Sequence, residues 1–87
     1  MMTRNSEKTS ENRFSEYAAR IRSLREDKDL SQKKAAALIH VAQRTYSDYE
    51  RAKVRIPVES LITLAKYYDV DMNYICGVTK EKKPFPK

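Results

Sequence analysis

The 87-residue chain has one cysteine, one glycine, one histidine, three prolines and no tryptophan. The lone Cys76 cannot close an intrachain disulfide, and secreted domains of this size depend on several bridges, so a reducing compartment is expected. No apolar run exceeds a handful of residues, well short of the ~20 needed to cross a bilayer. The opening residues, Met1 to Asn12, also lack the apolar core of a signal peptide, which points to a soluble, intracellular protein with no membrane partner. With one His, one Cys and no neighbouring ligand set, no zinc site is expected. No P-loop, dinucleotide fingerprint, HExxH or nucleophile-base-orienter set is present, and a chain this short buries only ~60 to 65% of its unfolded surface. One modest core is within reach and a deep catalytic cavity is not, so neither an enzyme, nor a cofactor, nor a small-molecule substrate is expected.

What the chain does have is positive charge. Eighteen Lys and Arg against twelve Asp and Glu give +6 and a pI near 9.6, which favours a polyanionic partner, nucleic acid ahead of an acidic protein or a membrane surface. The excess is local: residues 31–56 carry +4 and residues 80–87 carry +3, whereas residues 57–79 carry −2 and residues 1–12 balance to zero. Residues 1–12 hold no apolar residue after the opening Met pair and are expected to form a disordered arm. Residues 13–79 form the folded domain and residues 80–87 a basic tail in which two prolines leave little to bury.

The periodicity within residues 13–79 is helical throughout. Phe14, Tyr17, Ala18, Ile21 and Leu24 recur at steps of three and four, which predicts an amphipathic helix over roughly 14–28. Ser31 suits an N-cap for a short helix with Ala35, Ala36 and Ile39 inward. After a turn at about His40 to Ala42, a third helix over about 43–51 places Tyr46, Tyr49 and Glu50 opposite Arg44, Ser47 and Arg51. Pro57 suits the first turn of a fourth helix with Val58, Leu61, Ile62, Ala65 and Tyr68 inward. Asp71 caps a last short helix from Met72 to Cys76, which Gly77 closes in a left-handed conformation. No period-2 strand or hairpin signal occurs, so the fold is all-α with five helices.

Two short helices joined by a three-residue turn, with small Ala36 at the crossing and a basic, polar second helix, meet the needs of a DNA-reading unit. The ordered run LSQKKAAALIHVAQRTYSDYE, Leu30 to Glu50, followed by IPVESLITLAKYYDVDMNYICG, Ile56 to Gly77, resembles the lambda-repressor-like, xenobiotic-response-element (XRE, Cro-type) family of bacterial regulators. The likeness covers roughly residues 14–79. Its most specific parts are IRSLRE at Ile21 to Glu26, Leu30-Ser31-Gln32, QRTYSDYE at Gln43 to Glu50, and YICG at Tyr74 to Gly77.

The resemblance implies a five-helix helix-turn-helix domain whose third helix enters the major groove of double-stranded DNA. Gln43, Arg44, Thr45 and Asp48 would then face bases: Gln43 suits adenine, Arg44 suits guanine, and Thr45 suits a thymine methyl or a phosphate. Asp48 either accepts from cytosine or merely tunes charge. Gln32, Lys33, Ser47, Lys53 and Arg55 would meet the sugar-phosphate backbone, Gln32 with the help of the second helix's N-terminus. Arg25 and Glu50 match an ion pair that joins the first helix to the end of the third. The tyrosines at helical spacing are expected in the core or at an interface.

A single helix-turn-helix buries limited DNA surface, so a homodimer on an inverted repeat is expected, with Tyr67, Tyr68, Met72, Tyr74 and Ile75 either forming its interface or simply completing the core. The resemblance implies a cytoplasmic, nucleoid-associated transcriptional repressor of chromosomal, phage or mobile-element origin, controlled by concentration, a regulatory protein partner or cooperative binding. A protein-interaction module of the same fold, such as an antirepressor or antitoxin, is the alternative. Three positions depart from the family pattern: His40 for Gly or Asn, Ala42 for a capping Ser or Thr, and Ala52 for Gly. Each is expected to weaken a helix end, at ~1 kcal/mol apiece.

Overall fold

The computed structural model describes residues 2–86, with side chains from Ser15 onward. Five helices follow in order: α1 (Met2–Asp27), α2 (Gln32–Leu38), α3 (Gln43–Glu50), α4 (Val58–Tyr68) and α5 (Met72–Ile75). No strand occurs among the described residues. The number and order of helices agree with the periodicity.

α1 is longer than expected. Residues 2–12, read from the sequence as a disordered arm, continue the helix. Nothing in the sequence stops it: no Pro or Gly occurs before Pro57, so a helix nucleated by the amphipathic segment can propagate toward the N-terminus. Phe14, expected on the inward face, lies outside the residues with described side chains.

Ser31 caps α2 as predicted, its Oγ accepting from the Lys34 N–H at 3.1 Å, and Asp71 caps α5 by accepting from the Tyr74 N–H at 2.9 Å. Ala42 stands at the N-cap of α3 and provides no side-chain bond. The C-terminal ends share one device. Each helix is closed by a residue with positive φ: Asp29 at 56°, His40 at 58°, Ala52 at 57°, Asp69 at 57° and Gly77 at 81°. In each case the next residue donates its N–H back five positions: Leu30 to Arg25, Val41 to Ala36, Lys53 to Asp48, Val70 to Ala65 and Val78 to Asn73. These are Schellman closures. Only one of the five uses the residue type that adopts this conformation without strain.

The core is continuous through the bundle. Ile21 and Leu24 of α1, Ala35, Ala36 and Ile39 at α2, Tyr46 and Tyr49 of α3, Leu61, Leu64, Ala65 and Tyr68 of α4, and Ile75 of α5 are all buried. Ile56 and Val70, which lie in loops outside the helical pattern, are buried too. On α4 the inward face differs from expectation. Leu64 is fully buried, Ile62 is only half-buried, and Val58 is 62% exposed, because it stands at the helix start where the bundle no longer covers it.

The tail also departs from its reading. Residues 80–86 do not leave the domain: the Lys83 carbonyl accepts the Asp71 N–H at 2.8 Å, and the Phe85 N–H donates to Asp69 Oδ1 at 3.2 Å. Phe85 is half-buried against the core, with Lys66 Nζ 5.7 Å from its ring centre. The two prolines hold the segment extended, and Phe85 supplies the apolar group that seats it. On the α1 side Arg20 performs a similar task. Its guanidinium lies 4.3 Å over the Tyr74 ring and donates to the carbonyls of Tyr74 and Thr79.

Candidate nucleic-acid interface

α3 has two chemically distinct sides. Tyr46, Tyr49 and Glu50 are buried, while Gln43 and Arg44 in its first turn are exposed and Thr45, Ser47 and Asp48 are half-buried. Apolar and aromatic residues at steps of three press one face into the core, which turns the polar residues between them outward. Arg44 enters none of the ion pairs found among the described residues. Two long polar side chains, each with paired hydrogen-bonding groups, therefore project from the start of a helix.

Asp48 is differently placed. Its Oδ1 accepts from Arg51 Nη2 at 3.2 Å, so this carboxylate balances a neighbouring cation on its own helix. Lys33 on α2, and Lys53 and Arg55 in the loop after α3, are exposed. Arg55 also lies near enough to Tyr17 to pull its phenol down, although burial raises that group overall. Exposed cations thus stand on α2, in the first turn of α3 and in the loop that follows α3.

α3 is anchored by a buried polar cluster. Arg25 Nε donates to Glu50 Oε2 at 2.7 Å and Arg25 Nη2 donates to Glu50 Oε1 at 3.2 Å, a two-pronged ion pair between α1 and the last residue of α3. The two side chains are only 13% and 2% exposed. The remaining guanidinium nitrogen, Nη1, donates to the Leu30 carbonyl at 2.7 Å and so ties the loop between α1 and α2 to the same cluster. This is the ion pair that the resemblance implies. Burial pushes the Glu50 carboxyl up, but the hydrogen bonds from Arg25 and Gln32 and the nearby Tyr46 hydroxyl outweigh it and hold the group below the usual glutamate range.

Gln32, at the start of α2, also reaches this cluster. Its Nε2 donates to Glu50 Oε1 at 3.1 Å, which engages one of the amide's two N–H groups inside the protein. The reason lies in the acceptor: a buried carboxylate with two oxygens has more capacity than Arg25 alone satisfies. The Tyr46 hydroxyl lies beside the same carboxylate without a hydrogen bond of acceptable geometry, and the Tyr68 hydroxyl is likewise buried without a partner. Burial raises both phenols, Tyr68 to about 12 and Tyr46 further, and the negative Glu50 adds to both shifts.

The candidate dimer residues divide. Tyr68 and Ile75 are 5% and 0% exposed and complete the core of a single copy, which removes them from the candidate interface and leaves them the core, the other of the two places open to them. The inward face of α4 and the tight closure of α5 leave neither available. Met72 and Tyr74 are half-buried, Tyr74 beneath Arg20, and Tyr67 is exposed. Pattern reading missed three aliphatic side chains that the structure leaves in solvent, Val54, Val58 and Val78. Val54 sits outside any helical stripe, which was the available signal; for Val58 the stripe pointed the wrong way.

Among the described residues no group of three or more His, Cys, Asp or Glu side chains is placed to hold a metal ion, and no helix is long and apolar enough to cross a membrane.

A helix-turn-helix family model matches residues 21–75, from the last two turns of α1 through α5. An uncharacterized HTH-type transcriptional regulator, YobD of Bacillus subtilis (strain 168), is 35% identical over 68 residues, which is 78% of this chain and 61% of the relative. The chain therefore spans less than two thirds of that relative's length. No solved structure matches.

Proposed function

The chain belongs to the helix-turn-helix family of the lambda-repressor-like, XRE type, and from that premise we propose that it is a sequence-specific, double-stranded-DNA-binding transcriptional regulator. The observation that carries the reading is the pairing of an exposed Gln43 and Arg44 with a buried clamp at the other end of the same short helix. A rigid mounting is what base reading requires, because a side chain that must match two hydrogen-bonding groups on one base tolerates little angular error. In this reading Gln43 pairs with adenine, Arg44 with guanine, and Thr45 contacts a thymine methyl or a phosphate. Lys33, Ser47, Lys53 and Arg55 take the backbone, and Asp48 tunes the charge of the helix through Arg51.

The regulator acts as a repressor on an inverted repeat, two copies setting their third helices one DNA turn, ~34 Å, apart. The exposed Val54 in the loop after α3, and Val58 and Tyr67 on α4, are apolar side chains that support self-association, with Met72 and Tyr74 contributing their exposed edges. Its place of action is the cytoplasm, at the nucleoid.

Selection from a random duplex pool at ~150 mM salt tests the reading, because nonspecific binding through charge fades there and base readout persists. Enrichment of an inverted repeat is expected. A folded protein that enriches nothing sinks the proposal and turns attention to the protein-interaction alternative.

A further inference from the structure

The tail carries the second concentration of positive charge in the chain, and contacts fix its path over the domain. It leaves α5 beside Glu16 of α1, where a Cβ on Gly77 would lie 2.9 Å from the Glu16 Cβ. Arg20, about one turn further along α1, donates to the Thr79 carbonyl at 3.0 Å. Lys82 Nζ then comes within 4.0 Å of Asp27 Oδ2, at the last residue of α1. From Glu16 to Asp27 the helix rises ~16 Å, the distance that residues 77–82 cover when extended. The bonds at Asp71 and Asp69 and the seated Phe85 hold the residues that follow. Lys82 is therefore delivered to one place, the turn between α1 and α2.

That turn is tight. The Leu30 N–H donates to the Arg25 carbonyl at 3.1 Å and the Leu30 carbonyl accepts from Arg25 Nη1 at 2.7 Å, so α2 begins beside the end of α1. Residues 27–34 carry +1, from Lys28, Lys33 and Lys34 against Asp27 and Asp29, and Lys82 brings this corner to +2. The pair with Asp27 does not consume that charge. At 4.0 Å, with side chains 50% and 64% exposed, it is a surface ion pair that contributes little. A DNA strand presents one phosphate per ~3.4 Å of helix axis, so several fall within the ~17 Å that the chain from Asp27 to Gln32 spans at most.

We propose that Lys82 is a further contact to the DNA backbone, held at the corner between α1 and α2 by the folded tail, where it meets a phosphate flanking the one taken by Lys33. The proposal rests on the DNA-binding reading. It goes beyond that reading by giving the tail a fixed place against the duplex, where a loose polycation would have none.

The test uses the full chain and the salt dependence of its affinity for one duplex recovered from a random pool. Each phosphate contact adds ~0.9 to the slope of log affinity against log salt. Lys82→Gln is expected to lower the slope by ~0.9 and to leave the preferred bases unchanged, because a phosphate contact carries no sequence information. Phe85→Ser keeps every charge but unseats the tail, and in the folded variant the slope is expected to fall by the same amount. An unchanged slope in Lys82→Gln overturns the proposal. So does a lowered slope in Lys82→Gln beside a wild-type slope in Phe85→Ser, since the lysine then acts from a free tail. A second measurement needs no variant: amine acetylation of the wild type, read by mass spectrometry, is expected to slow at Lys82 when duplex is added, as it slows at Lys33. A Lys82 that reacts equally fast with and without duplex overturns the proposal. A wild type that selects no duplex fails the DNA-binding reading and this proposal with it, whereas one that selects a duplex while Lys82→Gln keeps its slope fails this proposal alone.

Discussion

Replacing Arg25 by Ala perturbs the cluster at its most heavily used member. Three contacts disappear together: the two bonds to Glu50 at 2.7 and 3.2 Å and the bond to the Leu30 carbonyl at 2.7 Å. What remains is an anion with a side chain 2% exposed and, among the described residues, only the Gln32 amide as a hydrogen-bond partner of ordinary geometry. Removing one partner of a buried pair costs ~3 to 5 kcal/mol, because the other charge stays uncompensated. For a domain of this length the total stability is roughly 4 to 13 kcal/mol, so the loss is a large share of it. The melting temperature is expected to fall by at least ~12 °C, at ~4 °C or more per kcal/mol.

The pH dependence gives the signature. In the wild type Glu50 titrates below its unfolded value, so its contribution is present above pH ~4.3 and is lost as pH falls through the lower folded value. Without Arg25, burial dominates and lifts the carboxyl above its unfolded value. Ionising it then costs stability at neutral pH, and that cost disappears on acidification. The difference between wild type and Arg25→Ala should therefore shrink between pH 7 and pH 5. Thermal and urea denaturation followed by circular dichroism measure both quantities. A loss under ~1 kcal/mol at pH 7, or a difference that does not narrow at pH 5, refutes the reasoning. The double substitution Arg25→Met with Glu50→Met removes both charges and is expected to recover most of the stability, short of the ~1 to 3 kcal/mol left by the orphaned Gln32 amide.

Ala52→Gly relieves a left-handed residue that carries a Cβ and is expected to stabilise the domain by ~1 kcal/mol, seen as a higher urea midpoint at unchanged slope; a lower midpoint would contradict the account of the α3 terminus. At alkaline pH the buried Tyr46 and Tyr68 must stay neutral while folded, since both titrate above the ordinary value of 10, so stability present below pH ~10 is lost as pH rises above it. Their phenolate absorbance should appear together with loss of helix, and ionisation of all six tyrosines at pH ~10 in the folded state would contradict the burial argument. Arg44→Ala is expected to relax preference at one base position at a cost of ~1 to 3 kcal/mol, whereas Lys53→Ala weakens binding evenly and lowers the salt slope by ~0.9. Equal behaviour of the two variants would undo the division between base and backbone contacts.

Much of the architecture was legible because helix signals are local. The caps at Ser31 and Asp71 need only a side-chain oxygen and an N–H three residues on, and both are found. The weak ends at Ala42, His40 and Ala52 followed from the same chemistry: Ala42 makes no cap bond, and the other two adopt positive φ. Asp29 and Asp69 close α1 and α4 in the same way and went unread. A signal was there, since Leu30 and Val70 follow them and an apolar residue commonly succeeds a left-handed closure. At the candidate interface, the exposure of Gln43 and Arg44 was legible from the inward stripe of Tyr46 and Tyr49. The engagement of Gln32 with Glu50 was not, because the two are eighteen residues apart and a glutamine amide carries no mark of which acceptor it will meet.

The sequence by itself determined the number of helices, their order, their caps and the outward polar turn of α3, since each depends on a few adjacent residues and their spacing. The long N-terminal continuation of α1 was permitted by the absence of helix breakers and declared by no periodic stripe. Only the tertiary structure decided that Tyr68 and Ile75 complete the core of one copy, that Val58 stands in solvent, that Phe85 folds back beside Asp69, and that Gln32 faces a carboxylate. Each of these depends on which distant segment occupies a face first, and burial and hydrogen bonding are settled by the partner that arrives.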